Sequence, residues 1–353
     1  MSLQPLTDDA ILLLKNLIST KSFSKEEDET ATIIEIFFRS KDIPTNRLKN
    51  NVWSKNKFYD PQKPTILLNS HHDTVKPNPG YTNNPYDAFE EDGRLYGLGS
   101  NDAGGCLVSL IATFCHFYPK ENLKYNFILA ATAEEEISGN DGLELLLPDL
   151  GELEFAIVGE PTQMDLAIAE KGLLVLDCIA TGRAGHAARE EGDNAIYKAI
   201  KDINWFQNYK FEKVSPFLGP IKMSVTLINA GSAHNVVPHI CEFVVDVRVT
   251  EMYAPEEILK TIQNHIKSVV KPRSVRLKPS SIDPGHPIVQ AGLRLGGKTY
   301  GSPTTSDQAL LSIPSLKMGP GHSERSHTAN EYVYLHEIKE GIEKYVAILE
   351  EIL

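Results

Sequence analysis

The sequence predicts a discontinuous α/β domain on a mostly parallel sheet, with a compact α+β domain inserted into it. Three observations carry this reading. Before about residue 170, short and wholly apolar runs alternate with helical stretches, the pattern of strands buried on both faces. From Lys171 the order becomes strand, helix, two strands, helix and strand, the β-α-β-β-α-β unit of ferredoxin-like folds. After Ser280 helix-and-strand patterning returns and continues to Leu353. The outer domain is therefore expected at 1–170 and 279–353, and the insert at 171–278.

The elements follow in order. The first segment is helical: Ser24-Lys25-Glu26-Glu27 has the form of a capping box, and Ile33, Ile34, Ile36, Phe37 and Phe38 follow as a periodic apolar run. Residues 65–69, 126–132 and 155–158 read as buried strands, with a helix at 105–117 between the first two. In the insert, strands are expected at 172–180, 222–229, 242–250 and 275–278, and helices at 194–206 and 255–270. No internal repeat interrupts the pattern.

Composition narrows the function classes. The 353 residues suit two domains at roughly 100–200 residues each. Hydrophobic residues make up 41%, enough for a sizeable core. Forty-seven acidic against 35 basic side chains leave a net charge of −12, which argues against a nucleic-acid partner, whose phosphates need a basic surface. No apolar run approaches the ~18 residues that span a bilayer, so no membrane role is expected. Met1-Ser2-Leu3-Gln4-Pro5 has neither a basic nor an apolar leader region. Cys106, Cys115, Cys178 and Cys241 lie far apart, forming neither a disulfide framework nor a cysteine metal cluster. A cytoplasmic protein fits these features.

The chemistry-bearing residues sit beyond the ends of the apolar runs. His71 and Asp73, in Ser70-His71-His72-Asp73, point to one side of an extended chain, and a carboxylate there can hold an imidazole's second nitrogen. Glycines on both sides of Asp102, in Gly97-Leu98-Gly99-Ser100-Asn101-Asp102-Ala103-Gly104-Gly105, set one carboxylate in a tight turn before a helix. Glu134-Glu135-Glu136 closes an otherwise apolar strand, where adjacent carboxylates need a cation. Glu160, in Gly159-Glu160-Pro161-Thr162, again follows a buried strand, and Ser326-His327-Thr328-Ala329-Asn330-Glu331 comes late in the chain. Singly, each motif is weak. Together they place two histidines and three carboxylates where open α/β sheets build their sites, a donor set for a pair of divalent cations.

The ordered set HxD, GxGxxD, EEE, GEPT and SHT-NE resembles the M20 family of zinc aminoacylases and peptidases, over essentially the whole chain. Within it the chain is most similar to acetylornithine deacetylases and succinyl-diaminopimelate desuccinylases. The resemblance implies a zinc-peptidase-like catalytic domain carrying an inserted dimerisation or lid domain. It implies two Zn²⁺ per subunit, with Co²⁺ or Mn²⁺ as substitutes. His71 and Glu160 would hold one ion, Glu136 and His327 the other, and Asp102 would bridge them. Glu135 would be the general base, and Asp73 the partner behind His71. One departure is Ala103-Gly104, where many members have Met-Lys. In the insert, Gly182-Arg183-Ala184-Gly185-His186 resembles the loop whose histidine polarises the scissile carbonyl at the partner subunit's site. Asn235, in Ala233-His234-Asn235-Val236-Val237-Pro238, and Arg248, in Asp246-Val247-Arg248, resemble segments that bind the substrate carboxylate. The other histidines read as structural, with His322 left open.

One competing motif fails on context. Gly292-Leu293-Arg294-Leu295-Gly296-Gly297-Lys298-Thr299 satisfies the phosphate-loop pattern, but no buried strand precedes it, and too little chain follows for a nucleotide-binding fold. The expected function is hydrolysis of the amide bond of an N-acyl amino acid, with N-acetyl- or N-succinyl-ornithine or -citrulline foremost as in arginine biosynthesis. Desuccinylation of diaminopimelate and dipeptide hydrolysis are the alternatives. A homodimer acting on a small molecule is implied.

Overall fold

The computed structural model describes residues 3–353, which divide into two compact units. The first comprises residues up to 168, 281–300 and 306–353. The second comprises 169–280 and 301–305.

The first unit is organised by three strands whose side chains are buried throughout: Thr65–His71, Asn126–Thr132 and Phe155–Val158. Burial on both faces explains why their sequences are continuous apolar runs rather than alternating ones. Thr65–His71 lies between the other two and runs parallel to both, with His71 opposite Thr132 and Asn69 opposite Val158. Ser315–Lys317 extends the sheet in parallel beyond Phe155–Val158, while Asn51–Lys55 pairs antiparallel with Asn126–Thr132. The sheet is mixed but mostly parallel, and its central strands end at one edge.

Helix Gly105–Phe117 is apolar on nearly every side because it is covered by the sheet and by helices Gln4–Ile18 and Leu335–Glu350. Phe117 stacks on Phe127 at 5.1 Å, and Phe114 meets Phe38 edge-on at 6.1 Å. Each such fully buried ring contributes about 1.5–3 kcal/mol through area removed from water. Among the described residues no helix is long and apolar enough to cross a membrane.

The second unit has strands Gly172–Thr181, Lys222–Ala230, Ile240–Val249 and Val269–Pro272, with helices Ala195–Asn208 and Pro255–His265. All pairings are antiparallel, and Ile240–Val249 and Gly172–Thr181 are the two central strands. Alternation along Gly172–Thr181 buries Leu174, Leu176, Cys178 and Ala180. Asn194 caps the first helix by accepting the N–H of Ile196 at 2.9 Å.

Three local expectations are corrected. The second helix of this unit stops at His265, and the closing strand is Val269–Pro272 rather than 275–278. Buried Asp202 explains the early stop, since its carboxylate accepts from the amides of Lys267 and Ser268 and from the Ser268 hydroxyl, at 2.6–3.3 Å. The capping box at Ser24–Glu27 does not form, and helix Asp28–Arg39 has no side-chain cap. Ser24 donates instead to Asp73, and the Glu27 carboxylate turns to Asn50 and the amides of Lys25 and Glu134. Around Gly297-Lys298-Thr299 the chain runs from helix Pro287–Arg294 into strand Thr299–Ser302, the reverse of the phosphate-loop order.

Candidate metal centre

Strand order does the gathering. His71 ends its strand, Glu135 and Glu136 form a short turn after Asn126–Thr132, and Glu160 follows Phe155–Val158. Asp102 comes from the turn Ser100–Gly104 ahead of helix Gly105–Phe117. His327, with φ 59°, follows a short helical turn at Ser323–Arg325. All of these belong to the first unit.

Asp102 occupies the middle. Its Oδ1 is 3.4 Å from His71 Nε2, and its Oδ2 is 3.6 Å from His327 Nε2. Glu160 Oε1 lies 3.6 Å from His71 Nε2, and Glu136 Oε2 lies 3.0 Å from His327 Nε2. Glu135 Oε2 stands on the His71 side at 3.8 Å. One carboxylate thus faces two imidazoles, each accompanied by a further carboxylate. Single donor atoms of His71, Asp102 and Glu136 lie within 4.8 Å of one another, as do those of His71, Glu135 and Glu160.

The state of His71 tests whether a cation suits this arrangement. Its ring is 1% exposed, and Nδ1 donates to the main-chain carbonyl of Asp73 at 3.0 Å. A carbonyl only accepts, so Nδ1 carries the proton of the neutral ring and Nε2 is the nitrogen left with the lone pair that would ligate. That Nε2 has no hydrogen-bond partner among the described residues. A buried lone pair surrounded by carboxylate oxygens is satisfied by a cation, and this donor set fits divalent metals.

The electrostatics agree. Burial, together with the charges of Glu160, Asp307 and Glu136, pushes Glu135 well above the usual carboxylate range, although His71 pulls it back. Burial likewise raises Glu136. Burial alone would lower His71, but the surrounding carboxylates of Glu135, Asp102 and Asp73 hold it well above its ordinary value, so that without a cation a proton is drawn to the Nε2 side. The hydrogen bond to Glu136 lifts His327 to about 9. Excess negative charge is compensated here by drawing in protons, a task metal ions would take over.

Further residues brace the centre. The Asp73 carboxylate approaches His71 Nδ1 only at 3.4 Å; it accepts the amides of Glu135 at 3.0 Å and Glu136 at 3.2 Å. Buried His72 bonds Thr30 and the carbonyl of Asn50, and burial lowers it to about 4. His322 caps its own short turn by accepting from Glu324. Gly104 has no room for a side chain, since a Cβ there would meet the Gly99 carbonyl at 2.3 Å and Leu14 at 2.6 Å. Sequence reasoning gave no place around the centre to three buried carboxylates, Glu27, Asp307 and Glu331. Asp307 accepts from Thr132 at 2.7 Å, and burial raises it to about 6.

His186, Asn235 and Arg248 lie in the second unit. The first two are neighbours in a ribbon: Gly185–His186 pairs with Val236–Val237, and Ala187 N–H donates to the Asn235 carbonyl at 3.0 Å. His186 Nδ1 accepts the N–H of Ala188 at 3.1 Å, which leaves the ring proton on Nε2. Arg248 lies apart from that ribbon, on strand Ile240–Val249. It grips Asp246 through Nε at 2.9 Å and Nη2 at 3.1 Å, and its Nη1 reaches Thr305 at 3.2 Å.

Residues 67–351 match the profile of peptidase family M20/M25/M40. A succinyl-diaminopimelate desuccinylase of Rickettsia bellii (strain RML369-C) is 24% identical over 386 aligned positions, covering 100% of this chain and 94% of the relative. An acetylornithine deacetylase of Buchnera aphidicola subsp. Schizaphis graminum is 27% identical, covering 80% and 81%. Among solved structures, a dinuclear metal binding peptidase of the M20 family from Bacillus subtilis superposes with a TM-score of 0.76 at 18% identity, over 99% of both chains. With the family match spanning most of its length, the chain belongs to peptidase family M20/M25/M40 and is an amidohydrolase of that family.

Proposed function

We propose that the chain is a dinuclear zinc amidohydrolase that removes an N-acyl group from an amino acid, with N-acetyl- or N-succinyl-ornithine or -citrulline as substrate in arginine biosynthesis. One observation carries the chemistry: the two Asp102 oxygens face different histidines, Oδ1 towards His71 and Oδ2 towards His327. The names of the deacetylase and desuccinylase relatives support the substrate class.

In this reading His71 and Glu160 hold one ion, Glu136 and His327 the other, and Asp102 is shared. Zinc pairs supply Lewis acidity and bring the pKa of water down to ~7. Glu135 takes the proton of the attacking water and returns it to the leaving nitrogen; its buried, anion-rich surroundings raise its proton affinity as that role requires. Asp73 keeps Glu135 in place through its backbone amide. His186, with its proton on Nε2, donates to the oxygen that becomes negative in the transition state. Asn235 and the end of the Arg248 guanidinium not engaged by Asp246 hold the substrate carboxylate. The protein acts as a homodimer in which the His186 ribbon of one copy serves the centre of the other.

The test is kcat/KM of zinc-loaded protein on N-acetyl and N-succinyl forms of ornithine, citrulline and diaminopimelate. Preference for an ornithine or citrulline derivative supports the assignment and names the acyl group. Preference for N-succinyl-diaminopimelate replaces it with desuccinylation. No cleavage with both ions bound removes the whole substrate class and sends the search to dipeptides.

A further inference from the structure

Glu331 is a buried carboxylate for which the proposed mechanism has no use. It is 2% exposed and stands just before strand Tyr332–Tyr334, which pairs antiparallel with Arg94–Tyr96. Its side chain accepts three backbone amides from the turn that delivers Asp102. Gly99 N–H reaches Oε2 at 3.1 Å, while Asn101 and Asp102 N–H reach Oε1 at 2.8 and 2.9 Å. Its own carbonyl accepts Gly97 N–H at 3.0 Å, so side chain and main chain hold the same turn.

Converging amides of this kind form an anion-binding concavity, and the turn is shaped to make one. Gly99 has φ 75°, and a Cβ on it would meet Thr74 at 2.6 Å, so both backbone and space call for glycine. Both carboxylate oxygens are needed to accept the three N–H groups, whereas an amide would set an NH₂ against one of them.

The choice is otherwise unfavourable. A second buried carboxylate beside Asp102 is unfavourable, since burial and the neighbouring like charge both oppose its ionisation. The position is explained if what matters is where the Asp102 carboxylate points. We propose that Glu331 is a positioning residue for the metal centre: by holding the amides of Gly99, Asn101 and Asp102, it fixes the turn from which Asp102 reaches both His71 and His327. The proposal rests on the reading of Asp102 as the shared ligand.

The test titrates metal-free full-length protein with Zn²⁺ and with Co²⁺, following heat and, for Co²⁺, the visible absorption bands that report ligand geometry. Wild type, Glu331→Gln and Asp202→Asn are compared. Asp202 is the matched control, a buried carboxylate holding backbone amides in the second unit. Wild type should take up two ions. Glu331→Gln should bind both about 10–100-fold more weakly, the usual effect of removing an outer partner, because they share Asp102. Its Co²⁺ bands should shift. Asp202→Asn should lose thermal stability yet bind as wild type does. Wild-type affinity and bands in a folded Glu331→Gln overturn the proposal, as does equal weakening in Asp202→Asn. If Glu331→Gln does not fold, Glu331→Asp decides: it keeps the charge but shortens the reach, and unchanged binding there overturns the proposal. Failure of wild type to bind two ions removes the underlying metal reading, and is seen in a different arm from any failure of Glu331.

Discussion

His71 is held from behind by the main chain of Asp73, Nδ1 to carbonyl at 3.0 Å, while the Asp73 carboxylate holds the amides of Glu135 and Glu136. The backbone therefore sets the imidazole tautomer, and the side chain sets the turn that carries Glu135 and Glu136. Ser24 supports the same carboxylate with a hydrogen bond of 2.7 Å, which ties the N-terminal region to the centre.

Replacing Asp73 by Asn should separate these tasks. Metal binding should remain near wild type, because the carbonyl behind His71 is untouched. The kcat value should fall about 10–100-fold through a displaced Glu135. Isothermal titration beside steady-state kinetics measures both, and loss of metal with kcat per bound ion unchanged would assign the carboxylate to His71 instead.

Glu135→Gln removes the proposed proton carrier but retains volume. Two ions should still bind, and turnover should drop by about 10²–10⁴, the usual contribution of a positioned acid–base group. A variant with near-normal kcat would exclude Glu135 from that role.

Metal uptake should release protons. His327 is raised to about 9 in the metal-free protein by its hydrogen bond to Glu136, so at pH 7 it carries a proton that must leave before Nε2 can ligate. Apparent affinity should climb with pH and level off above 9. Binding heats measured in buffers of different ionisation enthalpy should differ by at least one proton's worth. Identical heats in every buffer would contradict the assignment of His327 as a ligand.

Asp307 gives a stability prediction of definite sign. Burial raises its folded-state pKa from 3.8 to about 6. The protonated form therefore stabilises the fold below about pH 4, and that contribution is lost as the pH rises through 6. By linkage the ionised side chain disfavours the metal-free fold by about 3 kcal/mol above that range. Asn can still accept from the Thr132 hydroxyl. Asp307→Asn should accordingly gain stability over wild type between pH 4 and 6, and keep the gain to pH 8. Chemical denaturation with chelator present measures this, and a gain largest at pH 4 would refute it.

Much of the fold was legible because its governing signal is local. Strands Asn126–Thr132 and Phe155–Val158 and helix Gly105–Phe117 fall at their expected bounds, since uninterrupted apolar runs mark elements covered on every side. The candidate positions were legible for a related reason: His71, Glu136 and Glu160 are abrupt polar residues at the ends of such runs. What could not be read were carboxylates acting on backbone amides far away in sequence. Ser24 and Glu27 have the spacing of a cap, yet Asp73 and Glu134 claim them instead. Asp202 halts a helix more than sixty residues downstream, through contacts that leave no local mark. Glu331 belongs to a recognisable motif, but nothing in that motif reveals that it serves the turn around Asp102.

The insertion interrupts the centre as well as the chain. His71, Asp102, Glu135, Glu136 and Glu160 all precede it, whereas His327 follows it. During synthesis the sheet and five of these groups are made first, and the last imidazole arrives only after the whole inserted unit has emerged. A nascent or prematurely ended chain would thus assemble the carboxylate-rich half of the centre without its second histidine. Completion of the centre therefore waits on synthesis of the whole inserted unit.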